Sequence, residues 1–154
     1  EHAVIFAEPS LKMAHIHMDY SCRQSIEILI HSNEFTQVLI NIINNAVDAL
    51  LEHKTENPQI KIESLVNKEN IEVHIYDNGG GIKEDIYNNI FEPYFSTKGK
   101  NGTGLGLYMS KMIIEKEMDG SLEARNSAEG AEFIIKIPLA DLMPPVGEKA
   151  EQEV

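Results

Sequence analysis

Glu34-Phe-Thr-Gln-Val-Leu-Ile-Asn-Ile-Ile-Asn-Asn-Ala-Val-Asp-Ala-Leu50 is the stretch from which the rest of the chain is read. At about 100° per residue it is a helix with two faces. Phe35, Val38, Leu39, Ile42, Ile43, Ala46 and Leu50 share an apolar arc. Glu34, Gln37, Asn41, Asn44, Asn45 and Asp48 fall on a narrower polar stripe beside it. Asn41 and Asn45 are four apart, so one sits a turn above the other. The stripe carries no Lys or Arg and three Asn, each a poorer helix former than Ala. Together the Asn cost on the order of 1–2 kcal/mol of helix propensity. A side-chain amide offers a neutral carbonyl oxygen, which suits a hard cation such as Mg²⁺. Mg²⁺ keeps several waters and is shared with substrate phosphates, so one or two amide oxygens on a rigid helix suffice. The alternative is an amphipathic helix with an ordinary solvated side.

The chain has 154 residues, 42% apolar and 25% charged, which fits one soluble globular domain with a real core. Cys22 is the only cysteine, which excludes an internal disulfide and a Cys-based zinc site and fits a reducing setting. No stretch is long and apolar enough to span a membrane, and no signal peptide heads the chain. The expectation is a cytoplasmic, monomeric domain without direct membrane insertion, whose parent protein can still be membrane-anchored. A net charge of −12 argues against nucleic-acid binding and repels polyphosphate at long range. A nucleotide site here must supply its own cations, from Mg²⁺ or a few lysines. The six histidines are scattered, and His15 and His17 share one side of a strand without a partner at ligand spacing.

Residues 2–14 read as a short helix weakened by Pro9. His15–Cys22 and Ser25–Ile30 read as strands. Ser32 or Asn33 is placed to cap the long helix, which a turn at Thr55–Pro58 ends. Gln59–Val66 and Ile71–Tyr76 read as a hairpin across Asn67–Asn70. Residues 78–104 hold little regular structure beyond a helical turn near 83–89, and a loop this long is usually a lid or binding loop. Leu105–Met118 is helical. Ser121–Arg125 and Glu132–Ile137 form a last hairpin across Asn126–Gly130. Residues 141–154, with Pro144-Pro145 and four acids, read as a flexible tail behind a domain of residues 1–140. The expected fold is α+β: a two-layer sandwich with a mixed, mostly antiparallel sheet, helices on one face and a long lid.

Three further segments carry chemistry. Asp77-Asn-Gly-Gly-Gly-Ile82 puts an acid at a strand end before glycines. A buried carboxylate there accepts a hydrogen bond from the six-position amine of adenine and rejects guanine, whose carbonyl faces acceptor to acceptor. Gly79 and Gly81 let the backbone approach a base. An ordinary Asp-Asn-Gly turn is the alternative. Gly102-Thr-Gly-Leu-Gly-Leu107 opens a helix and turns backbone N–H groups toward an anion. It lacks the Lys-Ser/Thr of a Walker A loop and the strand and spacing of a dinucleotide fingerprint. Between them, Phe91-Glu-Pro-Tyr-Phe-Ser-Thr-Lys98 sets Phe91 and Phe95 as exposed docking candidates, with local lid packing as the alternative. Lys98 and Lys100 stand ready for a terminal phosphate.

In this order and spacing, the four segments resemble the N, G1, F and G2 boxes of the histidine kinase ATP-binding domain. That domain shares a superfamily with gyrase B, the ninety-kilodalton heat-shock chaperones and mismatch-repair ATPases. The resemblance covers residues 1 to about 139. Asn45-Ala-Val-Asp-Ala49 looks most like the nitrogen-regulation type of sensor kinase. The resemblance implies Asn45 as the Mg²⁺ ligand, Asn41 as a phosphate or metal contact, and Asp77 as the reader of the adenine amine. It implies that Gly79, Gly81, Gly102, Gly104 and Gly106 shape the ATP pocket and lid, with Ile82, Lys98, Thr103 and Leu105 beside them. Phe91 and Phe95 are expected to anchor the lid on a histidine-bearing dimerisation domain, with a response regulator downstream.

In gyrase-like relatives the position of Asn41 holds a Glu that activates water, so slow hydrolysis is expected here. Two departures stand out. Ala131 replaces the usual Thr of the last hairpin. The phosphoacceptor helix is absent, and His31 precedes the metal helix too directly to serve as acceptor. The implied function is transfer of the γ-phosphoryl group of Mg-ATP to a histidine outside this chain, with no base or nucleophile in the chain itself. The alternatives are an anti-sigma-type serine kinase of the same fold and a non-enzymatic nucleotide sensor.

Overall fold

The computed structural model describes residues 2–22, 31–99 and 102–139. The elements in order are α1 (His2–Met13), β1 (His17–Cys22), α2 (Ser32–Glu52), β2 (Gln59–Val66) and β3 (Asn70–Asp77). A 3₁₀ turn (Tyr87–Asn89), α3 (Gly106–Glu117), β4 (Ser121–Asn126) and β5 (Ala131–Pro138) follow. The expected strand at Ser25–Ile30, Lys100 and the 141–154 tail lie outside the described residues.

The five strands form one sheet in the order β1-β2-β3-β5-β4. Three of the four pairings are antiparallel, and β1 runs parallel to β2. Parallel neighbours need a long crossover, and α2 lies within it. Alternation along the strands sends Ile60, Val73, Ile75, Leu122, Phe133, Ile135 and Ile137 to one face, where the helices cover them. The result is the α+β, two-layer arrangement that the alternation and hairpins imply.

Helix α2 is the centre of the helical layer. Val38, Ile42, Ile43, Ala46, Val47 and Leu50 are buried, and each larger side chain removed from water stabilises the fold by roughly 1.5–3 kcal/mol. Its start differs from expectation. The helix begins at Ser32, His31 occupies the N-cap position, and no side chain caps it. Tertiary burial of the apolar arc, not a local cap, fixes this end. Helix α1 continues through Pro9. Ala3, Ala7 and Leu11, spaced four apart, are buried while Pro9 stays exposed, so the proline ring faces solvent. Across the sheet, on its other face, His74 and Glu132 are also buried. Nδ1 of His74 lies 2.7 Å from Oε1 of Glu132, which Arg125 also pairs with.

Candidate functional site

The polar stripe of α2 forms the floor of a cleft. The rim opposite is formed by residues 78–99, beyond the end of β3, and 102–104, ahead of α3. Two connected cavities occupy the cleft. One, of about 330 Å³, lies between Asn41, Asn44 and Asn45 on α2 and Phe95 to Gly106 on the other side. The second, of about 470 Å³, runs from Asn45 and Asp48 to Asp77, with Ile82, Ile90, Leu107 and Phe133 as apolar walls. Both cavities share Asn45, Asp48, Ile86, Ile90, Thr97, Lys98 and Leu107. The amides and the acid singled out from the sequence therefore border one continuous space.

Asp77 ends β3 and is buried. Its Oδ1 accepts hydrogen bonds from the N–H of Gly79 at 2.8 Å and of Ala131 at 3.4 Å. Burial raises the pKa of this carboxyl above its ordinary 3.8, and the two amides and nearby His53 draw it back only in part. Gly130 makes the arrangement possible. A Cβ there would stand 2.0 Å from the carbonyl oxygen of Asp77, so only a glycine lets the β4–β5 turn lie against the end of β3. Ala131, in the position where a Thr was expected, is buried and contributes its backbone N–H. His53, a turn beyond Ala49, donates through Nδ1–H to the Ala49 carbonyl at 2.9 Å and lines the same cavity.

At the other end, Asn41 is held from two sides. Its Nδ2 donates to the Ser110 Oγ at 3.2 Å and to the Gly106 carbonyl at 3.5 Å, and its Oδ1 accepts from Gln37. The side chain thus ties α2 to the first turns of α3. Asn45 Oδ1 accepts from Lys98 Nζ at 2.9 Å, and the same ammonium pairs with Asp48. An ammonium seated on an amide oxygen and a carboxylate is a fit test for a hard cation. Neutral and anionic oxygens are the donor set that Mg²⁺ takes.

The lid folds back on itself before α3. Gly104 has a φ of +67°, and a Cβ there would meet the Tyr94 carbonyl carbon at 2.4 Å. Any other residue is excluded by both conformation and space. Gly102, Thr103, Gly104 and Gly106 line the first cavity. Gly81 and Ile82 line the second, where Ile82 exchanges two hydrogen bonds with the Asn126 side chain. Gly79 and Leu105 line neither; Gly79 packs against the α2 backbone at Ala49, and Leu105 caps α3.

The phenylalanine pair needs correction. Phe91 and Phe95 are half-buried, not exposed. Phe91 packs on the core with the Lys111 ammonium 4.8 Å from its ring centroid, and Phe95 faces the cavity. A polar loop of this length buries its own aromatics, and the exposed ring is Tyr94 at 78%. Residues that reading the sequence did not assign to the site include Asp48, His53, Ile86, Ile90, Leu107 and Phe133. Asp48 was visible on the polar stripe. Leu107 closes the glycine run that opens α3, and the others leave no local signal.

Comparison with known proteins agrees with this geometry. Residues 30–141 match the family described as histidine kinase-, DNA gyrase B-, and HSP90-like ATPase. The two-component sensor PprA of Pseudomonas aeruginosa is 42% identical over 113 residues, 71% of this chain and 12% of that protein. The sensor protein FixL of Bradyrhizobium diazoefficiens is 32% identical over 70% of this chain and 21% of that protein. The chain therefore spans a small part of these relatives. The solved catalytic domain of histidine kinase ThkA superposes with a TM-score of 0.77 at 31% identity, covering 89% of each chain. Matched family, similar sensor kinases and a shared architecture lead to one statement: the chain belongs to the histidine kinase-, DNA gyrase B- and HSP90-like ATPase family, on its sensor histidine kinase branch.

Proposed function

We propose that this chain is the catalytic domain of a sensor histidine kinase of the nitrogen-regulation type, which binds Mg-ATP and delivers the γ-phosphoryl group to a histidine on a separate dimerisation domain. The observation that carries the reading is one cleft bordered by the Asn41/Asn45 amides at one end and the buried Asp77 at the other. Asp77 keeps Oδ1 for backbone amides, and we assign Oδ2 to the six-position amine of adenine. Ile82, Ile90, Leu107 and Phe133 exclude water around the base, and Asn45 supplies a metal ligand. Bound Mg²⁺ supplies neutralisation of phosphate charge. Lys98 is the lysine we assign to the terminal phosphate, and the first turn of α3 offers its N–H groups.

In the transfer, an imidazole nitrogen of the acceptor attacks the γ-phosphorus, the bond to the bridging oxygen breaks, and ADP leaves. Positioning carries most of the catalysis. Asn41 spends its amide hydrogens on Ser110 and Gly106 and has no basic atom, so water is not activated and hydrolysis is slow. The ThkA kinase has been solved in complex with the response regulator TrrA. By analogy, a response regulator is the downstream partner here. No helix among the described residues is long and apolar enough to cross a membrane, in keeping with a catalytic unit working in the cytoplasm.

The test is ATP and GTP binding with and without Mg²⁺, followed by addition of the parent's histidine-bearing domain. We expect Mg²⁺-dependent ATP selectivity, no autophosphorylation alone, and phosphohistidine on the added domain. No nucleotide binding, or an inert mixture with ATP bound, overturns the proposal.

A further inference from the structure

Among the described residues lining the first cavity, Lys98 is the one cation and Asp48 the one anion. They come from opposite sides: Asp48 from the rigid floor helix, Lys98 from the lid, 50 residues apart in sequence. The Lys98 ammonium spans Asn45 Oδ1 and the Asp48 carboxylate. It therefore sits on Asn45 Oδ1, the oxygen assigned above to the metal, at a place where two cations cannot stand together. Its side chain is 37% exposed and that of Asp48 47%, so the pair is screened and reversible.

We propose that Asp48 is a positioning residue that parks Lys98 on the metal seat, latching the lid over the nucleotide-free cleft until a divalent cation takes its place. The inference rests on the kinase reading for the identity of the incoming cation; the latch itself does not. Exchange has two consequences. The lid is freed more often once the metal arrives, so nucleotide entry and lid release are coupled. The displaced ammonium is delivered beside the phosphates, where a second positive charge is needed. Ion pairs this exposed hold by at most about fivefold in population, which makes the latch a bias and not a lock.

The experiment is limited proteolysis of the nucleotide-free, metal-chelated chain with chymotrypsin, which cuts after Tyr94 and Phe95 in the lid. Asp48→Asn and Lys98→Met should each speed cleavage, by up to about fivefold. The double variant should be no faster than the faster single, because one contact is removed twice. Mg-ADP, which has no terminal phosphate for Lys98 to hold, should bind Lys98→Met more tightly than wild type by a similar factor, while Mg-ATP binds it more weakly. Cleavage at the wild-type rate in both single variants, multiplied effects in the double, or weaker Mg-ADP binding by Lys98→Met would overturn the latch. A chain that binds no nucleotide refutes the kinase reading and leaves the cleavage arm to judge the latch alone.

Discussion

Asp77→Asn isolates the recognition of the base. The substitution keeps the size of the side chain and an oxygen for the Gly79 N–H, which Asp77 Oδ1 accepts at 2.8 Å. It replaces the other oxygen with an NH₂ group. Toward adenine, a donor then faces a donor. Losing a charge-assisted hydrogen bond costs about 1.5–3 kcal/mol, so ATP should bind about 10- to 150-fold more weakly. Toward the six-position carbonyl of guanine, the new NH₂ is a partner, so GTP should lose less or gain. The assay is calorimetric titration of both nucleotides with Mg²⁺ in excess.

The same substitution has a signature without ligand. Burial raises the Asp77 pKa above 3.8, so in the acid range between the unfolded and folded values the folded chain holds a proton that the unfolded chain has released. Its contribution to stability is fully present below the ordinary carboxylate value and is lost as pH rises through the raised folded value. Asp77→Asn removes that slope, and thermal unfolding across the acid range will show it. If ATP affinity in the folded variant stays within about twofold of wild type, or ATP and GTP weaken equally, Asp77 shapes the pocket and does not read the base.

Three other substitutions probe separate parts. Asn45→Ala should abolish the Mg²⁺-dependent part of ATP affinity in titrations with and without metal, yet gain up to about 0.7 kcal/mol of helix propensity, so its melting temperature should not fall. Gly130→Ala forces a Cβ to within 2.0 Å of the Asp77 carbonyl; overpacking of about 1–3 kcal/mol should lower the melting temperature by several degrees and weaken ATP binding together. Glu132→Gln should destabilise the chain at neutral pH and flatten its acid unfolding. Burial alone would raise the Glu132 pKa, but hydrogen bonds from Arg125, His74 and Tyr76 hold it below 4.5. The stability it gives is present above that value and is lost as pH falls through the lower folded one, which unfolding against pH measures.

Much of this was readable from residue order because the informative features are local. The two faces of α2, the strand-ending Asp77 and the glycine runs each need only neighbours in sequence. What escaped depends on segments far apart. The N-cap at His31 has no side-chain bond to announce it, and the helix start follows core packing instead. Phe91 and Phe95 read as exposed because their neighbours are polar, yet the lid curls back at Gly104 and turns them inward. The Asn41–Ser110 bond joins residues 69 apart, and the Lys98 bridge joins 53, distances across which periodicity carries no information. His74 and Glu132 lie on the strand face that alternation assigns to solvent, and their pairing with each other, with Arg125 and with Glu72 offsets their burial.

Helix α2 also works as a ruler. Along its polar side stand Asn41, Asn45 and Ala49, at one-turn steps of about 6 Å, with His53 just past its end. An inserted or deleted residue anywhere between Asn45 and Ala49 would swing everything beyond it by about 100° and shift it by about 1.5 Å. Either the amides or the base wall would then point into the sheet. The turn at Asn67–Asn70 lies at the opposite end of β2 and β3 from Asp77, is held by its own Asn67 bonds and one from Leu139, and takes no part in the cleft. Length variation among descendants of this gene should therefore gather in that turn and spare the helix.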